Sequence, residues 1–354
     1  MKTSQHVSEI LRQSVEGVNE SLDRMLRERA VGQTAPLYQM LRYFMGFTDE
    51  QFTPLSKGKT GKRFRPALCL FLADAYGARA KAYDAALAIE LFHNFTLIHD
   101  DVEDRDEVRH GRPTVWKVWG VNHAINSGDV QSLIACDLCV RAGAKSGAGE
   151  RLTRAMLASF AEVVEGQYLD FELASASLES GTVNEETYLS MTRKKTGALM
   201  SLCGEVTGIV AGRSNDECAR LRKYGMSLGV AFQIADDYRS VWSRREETGK
   251  DTHSDIREHK RTFPFLVAYG ELQGAAHRRL AELYVPPRQL TEVEIAEALT
   301  LLDATAAQTR TRELIRTYAS AARAAALSLT LPEETRASLA DIIETLVPES
   351  RSLS

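Results

Sequence analysis

The chain has 354 residues, of which 44% are hydrophobic and 26% charged, so it can bury a sizeable core as one large domain or two small ones. Its formal net charge of −4 argues against nucleic acid as the main partner. The five scattered cysteines are typical of a reducing compartment. Cys136 and Cys139 have CxxC spacing but lie in an apolar helical run, which favours packing over a metal or redox site.

The N-terminal segment, residues 1–26, mixes charged residues with helical periodicity and lacks the apolar core of a signal peptide. No apolar stretch reaches about 18 residues, the length that a membrane-spanning helix needs. We therefore expect a cytoplasmic protein without a membrane span.

The next feature is a short basic segment, Gly61-Lys62-Arg63-Phe64-Arg65-Pro66, which directly precedes an apolar run. Free N–H groups and the positive end of the dipole lie at a helix N-terminus, so cations placed there favour anion binding. For each cation taken singly, a solvated surface charge is the alternative.

Residues 91–99 are mostly apolar and predict a largely buried helix that runs into Asp100-Asp101-Val102-Glu103-Asp104. On an ideal helix, His93, Asp100 and Asp104 lie within about 40° of one another. Carboxylates that end a buried helix repel each other and attract a cation. Magnesium suits them, because it takes one or two protein carboxylates and completes its shell with water and phosphates. A solvated acidic helix end without a ligand is the alternative.

The rest of the chain favours helices. No proline occurs between Pro113 and Pro264, the region is rich in good helix formers, and alternating β-type runs are absent. Turn-like clusters at residues 144–149 and 175–181 predict breaks between helices. We predict one all-α domain over residues 1–354, with a motif-bearing core at about 55–270 and further amphipathic helices at 290–347.

A second acidic pair, Asp236-Asp237, also follows an apolar helical run. Two such helices can bring two sets of carboxylates to one cavity, as helix bundles do when they hold metals. Arg193-Lys194-Lys195 and Gly249-Lys250 add positive charge, which suits a ligand with many phosphate oxygens. The chain has no Gly-x-x-x-x-Gly-Lys-Ser/Thr loop, so P-loop nucleotide binding is disfavoured.

These motifs, in this order, resemble those of the trans-isoprenyl diphosphate synthases, or polyprenyl synthetases. The similarity runs from about Gly61 to Pro264. The matching segments are residues 61–66, 97–104, 111–114, 166–170, 195–197, 232–237 and 249–255. The resemblance implies an isoprenoid synthase-type helical bundle around a deep central cavity, and a homodimer.

The resemblance also implies the roles of individual residues. The carboxylates implied to hold magnesium, three ions per active site, are Asp100, Asp101, Asp104, Asp236 and Asp237, the second of each pair assisting. The residues implied to contact an allylic diphosphate are Arg109, Lys195, Thr196, Gln233 and Lys250. The residues implied to hold isopentenyl diphosphate are Lys62, Arg65, His93 and His110. The residues implied to be catalytic are Asp100, Asp104, Asp236 and Lys195.

The activity implied is a head-to-tail trans condensation of isopentenyl diphosphate with an allylic diphosphate. The bulky Phe95, the small Thr96 and the lack of an insertion in the first acidic motif favour geranylgeranyl diphosphate as the product. Farnesyl diphosphate is the alternative product. On the same fold, the chain could instead be a terpene synthase or a non-catalytic partner subunit of a heteromeric synthase.

Two positions depart from the family pattern. His110 stands where a second arginine helps to hold isopentenyl diphosphate, and Ser240 stands where the second acidic motif ends in aspartate. We expect Arg112 to compensate in part for the missing arginine. We expect the Ser240 change to be tolerated, because Asp236 remains, and the His110 change to matter more. Together the two departures lower the expectation of efficient elongation and leave the expected fold unchanged.

Overall fold

The computed structural model describes residues 2–55, 60–243, 253–285 and 289–350, with side chains from residue 14 onward. The predicted all-α fold is confirmed. The α-helices are α1 (Lys2–Arg29), α2 (Ala35–Phe44), α3 (Phe64–Ala75), α4 (Arg79–Glu103), α5 (Val115–Trp119), α6 (Val121–Ser146), α7 (Gly149–Ser175), α8 (Glu185–Thr192), α9 (Ala198–Val210), α10 (Asn215–Trp242), α11 (Ser254–Arg257), α12 (Phe263–Glu271), α13 (Gly274–Leu283), α14 (Glu292–Asp303), α15 (Ala307–Leu327) and α16 (Glu333–Leu346). A short antiparallel hairpin pairs β1 (Val108–Arg109) with β2 (Arg112–Pro113).

The breaks between helices lie close to where the sequence predicts them. α6 ends at Ser146 and α7 at Ser175, inside the two turn-like clusters. The C-terminal helices begin with α14, whose first turn is closed by a capping box between Thr291 and Glu294. No helix in the described part of the chain is both long and apolar enough to cross a membrane.

Contacts along the chain define two compact units. The first unit comprises residues 1–160 and 202–219, and the second comprises residues 161–201 and 220–354. The single domain over residues 1–354 therefore stays a prediction.

In the first unit, α4 packs against α3 on one side and α6 on another. Its first half is rich in buried alanines, whose small side chains let neighbouring helices approach closely. Gln131 of α6 is fully buried and donates a hydrogen bond of 2.9 Å to the backbone carbonyl of Leu91. The helix ends at Glu103 with Asp104 as its C-cap, so the acidic motif lies at its C-terminal end, as predicted.

In the second unit, a π-helical turn, Arg193–Gly197, joins α8 to α9. Two glycines let neighbouring backbone approach this region. A Cβ at Gly166 of α7 would lie 2.2 Å from the backbone nitrogen of Lys195, and a Cβ at Gly225 of α10 would lie 2.1 Å from the carbonyl oxygen of Met200. The position of the π-helical turn thus depends on residues without side chains.

Replacing Gly166 with alanine should displace this turn, because the added Cβ meets backbone atoms that cannot rotate away. We expect the free energy of unfolding to fall by about 1–3 kcal/mol in urea titrations. Gly270→Ala on α12 is the control, because a Cβ there meets nothing within 4 Å. It should be neutral or stabilising by up to about 1 kcal/mol. Equal stability of the two variants would contradict the close approach.

Candidate functional site

The acidic residues at the end of α4 differ in burial. Asp101 is 1% exposed and accepts a hydrogen bond of 2.5 Å from Nε of Arg109, whereas Asp100 is half-exposed and Asp104 is exposed. Burial raises the pKa of Asp101 to about 6, and the Arg109 guanidinium opposes that shift. Asp101 therefore anchors the segment that carries Arg109, while the other two carboxylates lie at the surface.

The surface carboxylates fit a magnesium ion of the kind predicted. Among the residues that the structure describes, no three His, Cys, Asp or Glu side chains form a ready-made metal cluster. Magnesium does not need such a cage, because it binds one or two carboxylates and keeps several waters or phosphate oxygens. Asp100 and Asp104 are one helical turn apart, since the Asp104 amide donates to the Asp100 carbonyl at 2.8 Å. They can offer oxygen ligands side by side.

The hairpin after α4 presents His110 at its turn. His110 and Gly111 have φ of +53° and +71°, the backbone of a two-residue hairpin loop with both central residues left-handed. Arg112 donates to the carbonyls of Tyr43 at 3.1 Å and Thr48 at 2.7 Å. Its guanidinium also lies 3.9 Å from the centroid of the Tyr43 ring. Arg112 therefore fixes the hairpin to the α2 segment, which argues against the expected compensation for the missing arginine.

Basic side chains of the first unit gather around His93. Burial and the charges of Arg65, Arg109, Arg63 and His110 together lower the pKa of His93 well below its ordinary value. The Nε atom of Arg65 is buried and has no hydrogen-bond acceptor among the described residues. We call these five residues the basic cluster. It brings together four residues predicted separately to bind a diphosphate, and such a ligand could satisfy their charges with its oxygens.

Arg63 is a buried member of the basic cluster, and the sequence did not predict this role. It is 4% exposed, and its Nη1 and Nη2 donate at 2.8 Å to the carboxylate of Glu90 and the carbonyl of Met45. Its φ of +48° places it as the N-cap of α3. Arg63 thus fixes the backbone between Lys62, which is exposed, and Arg65, which is half-buried.

The second aspartate pair, in the second unit, repeats the pattern of the first. Asp236 is half-exposed, whereas Asp237 is 5% exposed. The Tyr188 hydroxyl donates to Oδ2 of Asp237 at 2.5 Å, and the Gln233 amide donates to Oδ1 at 2.9 Å. Burial raises the pKa of Asp237 to about 6, and these hydrogen bonds oppose the shift. Asp237, like Asp101, is held inside the protein while its neighbour lies nearer the surface.

The π-helical turn presents Lys195 and Thr196. The Thr196 hydroxyl donates to Oε1 of Gln233 at 2.8 Å, and Nζ of Lys195 lies 2.5 Å from Oδ2 of Asp170. Because the Gln233 carboxamide is bonded inside the protein at both ends, the geometry favours an orienting role for it over direct ligand contact. Lys250, predicted to contact the same diphosphate, lies outside the described residues.

Sequence reasoning missed Lys260 as a neighbour of the second acidic pair. Its positive charge lowers the pKa of Asp237 and of Asp255, opposing the larger effect of burial. Asp255 is buried, and its Oδ2 has no hydrogen-bond partner among the described residues. A sequence signal for Lys260 was available, because the basic pair Lys260-Arg261 follows the motif at residues 249–255. Arg261 instead donates to backbone carbonyls at the end of α7, a distinction that needs the fold.

The two residues predicted to control chain length lie on different faces of α4. The Phe95 ring is 5.1 Å from the Phe92 ring and 4.8 Å from the His99 ring, measured between centroids. Thr96 lies one helical turn before Asp100 and donates to a backbone carbonyl within the helix. The small side chain is therefore on the face that carries the surface carboxylate.

The family model for polyprenyl synthetase matches residues 52–302, most of the chain and both units. The chain belongs to the polyprenyl synthetase family. The predicted family is thereby confirmed, and the protein is a prenyltransferase of isoprenoid synthesis.

Relatives and solved structures agree with this assignment. A farnesyl diphosphate synthase of Mycobacterium tuberculosis is 37% identical over 267 residues, covering 74% of this chain and 71% of the relative. A geranylgeranyl pyrophosphate synthase of Geoglobus acetivorans is 34% identical, covering 75% and 77%. A polyprenyl synthetase structure from Streptomyces coelicolor matches with a TM-score of 0.82 and 29% identity, covering 96% and 99%. The names of these relatives differ in product, so similarity alone does not select a chain length.

Replacing His110 with arginine should tighten the binding of inorganic pyrophosphate by roughly 5- to 30-fold, because an arginine stays charged and hydrogen bonds to charged groups are strong. Partial burial and the charges of Arg109 and Arg63 lower the pKa of His110, so the free imidazole is neutral near pH 7. A bound anion favours the imidazolium. Wild-type affinity should therefore rise as pH falls from about 8 to about 6, more steeply than that of the variant.

Isothermal titration calorimetry measures both effects. His123→Arg on the exposed face of α6 is the matched control, since it makes the same change in charge on a different helix. Equal tightening by the two variants would show a general charge effect and would count against a diphosphate site at His110.

Proposed function

We propose that this prenyltransferase condenses isopentenyl diphosphate with allylic diphosphates and releases geranylgeranyl diphosphate. The observation that carries the proposal is the basic cluster beside the acidic end of α4. Arg109 belongs to the cluster and also donates to Asp101, so one side chain links the cations to the acids. A substrate with a diphosphate and a bound cation matches that combination of charges.

The acids act on the allylic diphosphate. Asp100, Asp104 and Asp236 are the carboxylates proposed to hold magnesium, three ions in all, with Asp101 and Asp237 orienting them from inside the protein. When bound, magnesium supplies a Lewis acid that stabilises charge on the departing pyrophosphate. Arg109 and Lys195 are the proposed donors to the same oxygens, which would favour ionisation of the allylic C–O bond. Thr196 donates its one hydroxyl proton to Gln233 and so has an orienting role beside them.

The remaining cations bind isopentenyl diphosphate. Lys62 and Arg65 flank the backbone fixed by Arg63, and His93 and His110 complete the set. Holding the isopentenyl double bond beside the allylic carbon makes the coupling effectively intramolecular. The carbocation must also be kept from water, and the buried apolar residues of α3 and α4 are the proposed source of that protection. Proton loss to the pyrophosphate then completes a product five carbons longer.

A twenty-carbon product is supported by the face of α4 that carries Asp100. Thr96, one turn before Asp100, has a small side chain, so we propose that the growing chain can pass it. The Phe95 ring is engaged with Phe92 and His99, so its bulk lies toward a neighbouring face. A small residue at this position would stop elongation of the product later than a large residue one turn before Asp100 would.

We also propose that the two units act as one catalytic domain and that the chain forms a homodimer. The family match spans both units, which supports the first proposal. Four exposed apolar residues of α6 lie within about 120° of one another around the helix and support the second. These residues are Val121, Ile125, Leu133 and Val140.

Purified protein given magnesium, isopentenyl diphosphate and a five-, ten- or fifteen-carbon allylic diphosphate should form a twenty-carbon diphosphate, identified by mass spectrometry. Asp100→Ala should reduce turnover by at least about 10³-fold, since the stabilisation it removes acts on the departing charge. Asp137→Ala, at an exposed position of α6, is the control and should turn over normally.

Two results would contradict the proposed activity. Consumption of an allylic diphosphate without elongation would make the chain a terpene synthase. No reaction of the isolated chain with any substrate would indicate a partner subunit of a heteromeric synthase.

Thr96→Phe should shorten the product to fifteen carbons or fewer, because the ring would fill the face of α4 below Asp100. Thr96→Ser retains the small hydroxyl side chain and should leave the product distribution unchanged. Both distributions are measured by mass spectrometry after complete conversion. If Thr96→Phe still makes the twenty-carbon product while Phe95→Ala lengthens it, the growing chain follows the Phe95 face instead.

A further inference from the structure

Arg239 lies between a catalytic aspartate and the C-terminal segment of the second unit. Its Nη1 donates to both carboxylate oxygens of Glu349, at 2.9 and 3.0 Å. Its Nη2 lies 3.6 Å from Oδ1 of Asp236, beyond the range of a good hydrogen bond. The side chains of Arg239 and Glu349 are 20% and 14% exposed, so this ion pair is mostly shielded from water.

The position of Arg239 in the second acidic motif makes this contact consequential. Arg239 follows Asp236 by three residues on α10, so its guanidinium is a permanent positive charge on the face of the helix that carries the metal-binding carboxylate. The next residue, Ser240, provides no carboxylate to balance that charge. Glu349, 110 residues further along the chain, provides it instead.

We propose that Glu349 is a positioning residue, which engages Arg239 and so limits the competition of its guanidinium with a divalent cation for the Asp236 carboxylate. The inference rests on the proposed role of Asp236 in the prenyltransferase. A guanidinium prefers a carboxylate that it can contact through short hydrogen bonds, and Glu349 accepts two of them. Without Glu349, Asp236 is the carboxylate nearest to Arg239 among its described ion-pair partners, and the guanidinium then competes with the cation.

The pair also gives the C-terminal segment a function at the site. Glu349 belongs to a short 3₁₀ turn, Pro348–Ser350, directly after α16. Through Arg239, this turn sets how strongly the second acidic motif binds its cation. A change in the C-terminal segment therefore alters metal affinity without touching any residue that contacts substrate.

The test compares Glu349→Gln, Arg239→Gln and the double variant. Binding of Mn²⁺ is titrated by electron paramagnetic resonance in the presence of inorganic pyrophosphate, which needs no turnover. We expect Glu349→Gln to raise the concentration of Mn²⁺ at half-saturation by about 5- to 20-fold, a usual size for coupling between two sites. The double variant should return to within about 2-fold of wild type, since the competing guanidinium is gone.

Glu185→Gln is the matched control, because Glu185 also accepts two hydrogen bonds from one arginine, Arg310, at 3.0 Å each. It should lower the melting temperature without changing Mn²⁺ binding. The inference is overturned if Glu349→Gln behaves like this control, or if removing Arg239 fails to restore binding. Absence of prenyl transfer in the wild type would defeat the proposed function alone, since the Mn²⁺ titration would still decide the role of Glu349.

Discussion

In each unit, the arrangement of the candidate functional residues depends on the burial of one carboxylate of the aspartate pair. A buried carboxylate is costly unless it accepts hydrogen bonds, so each one organises the groups around it. Asp101 holds Arg109 and with it the hairpin that presents His110. Asp237 holds Tyr188 and Gln233, and Gln233 accepts from the hydroxyl on the π-helical turn. The first aspartate of each pair is thereby left nearer the surface, where chemistry can use it.

The buried aspartates need hydrogen-bond donors, whereas the basic cluster needs negatively charged acceptors. Burial is the largest cause that lowers the pKa of His93 and of His110, and the positive charges of the neighbouring arginines lower both further, since like charges repel one another. Glu90 offsets part of this repulsion at Arg63, but the Nε atom of Arg65 is left without an acceptor among the described residues. On the proposed function, a ligand with several phosphate oxygens would relieve the remaining repulsion. The same electrostatics would then favour polyanionic substrates over singly charged ones.

Local signals in the sequence predicted the helices and the residues that gather near them, because helix periodicity, proline positions and motif spacing act over short distances. The end of α4 at the acidic motif is an example. Less information on the role of each residue within a motif was available from the sequence. Arg63 is buried with a positive φ, and Arg112 is bonded to the carbonyls of Tyr43 and Thr48, which no local sequence pattern indicates. Glu349 is too distant in sequence to be linked with Arg239 by any pattern.

The two departures from the family pattern change charge more than shape. His110 keeps the hairpin turn but leaves the basic cluster without a permanent cation at that position, whereas Ser240 omits a carboxylate four residues after Asp236. On the proposed function, each change would weaken the attraction for a ligand, which is a diphosphate at His110 and a divalent cation beside Asp236. Among the described residues, the carboxylate of Glu349 engages Arg239, which lies beside Ser240. On the proposed function, Glu349 would thus protect binding of the metal, whereas binding at His110 would depend on the pH and on the charge of the substrate.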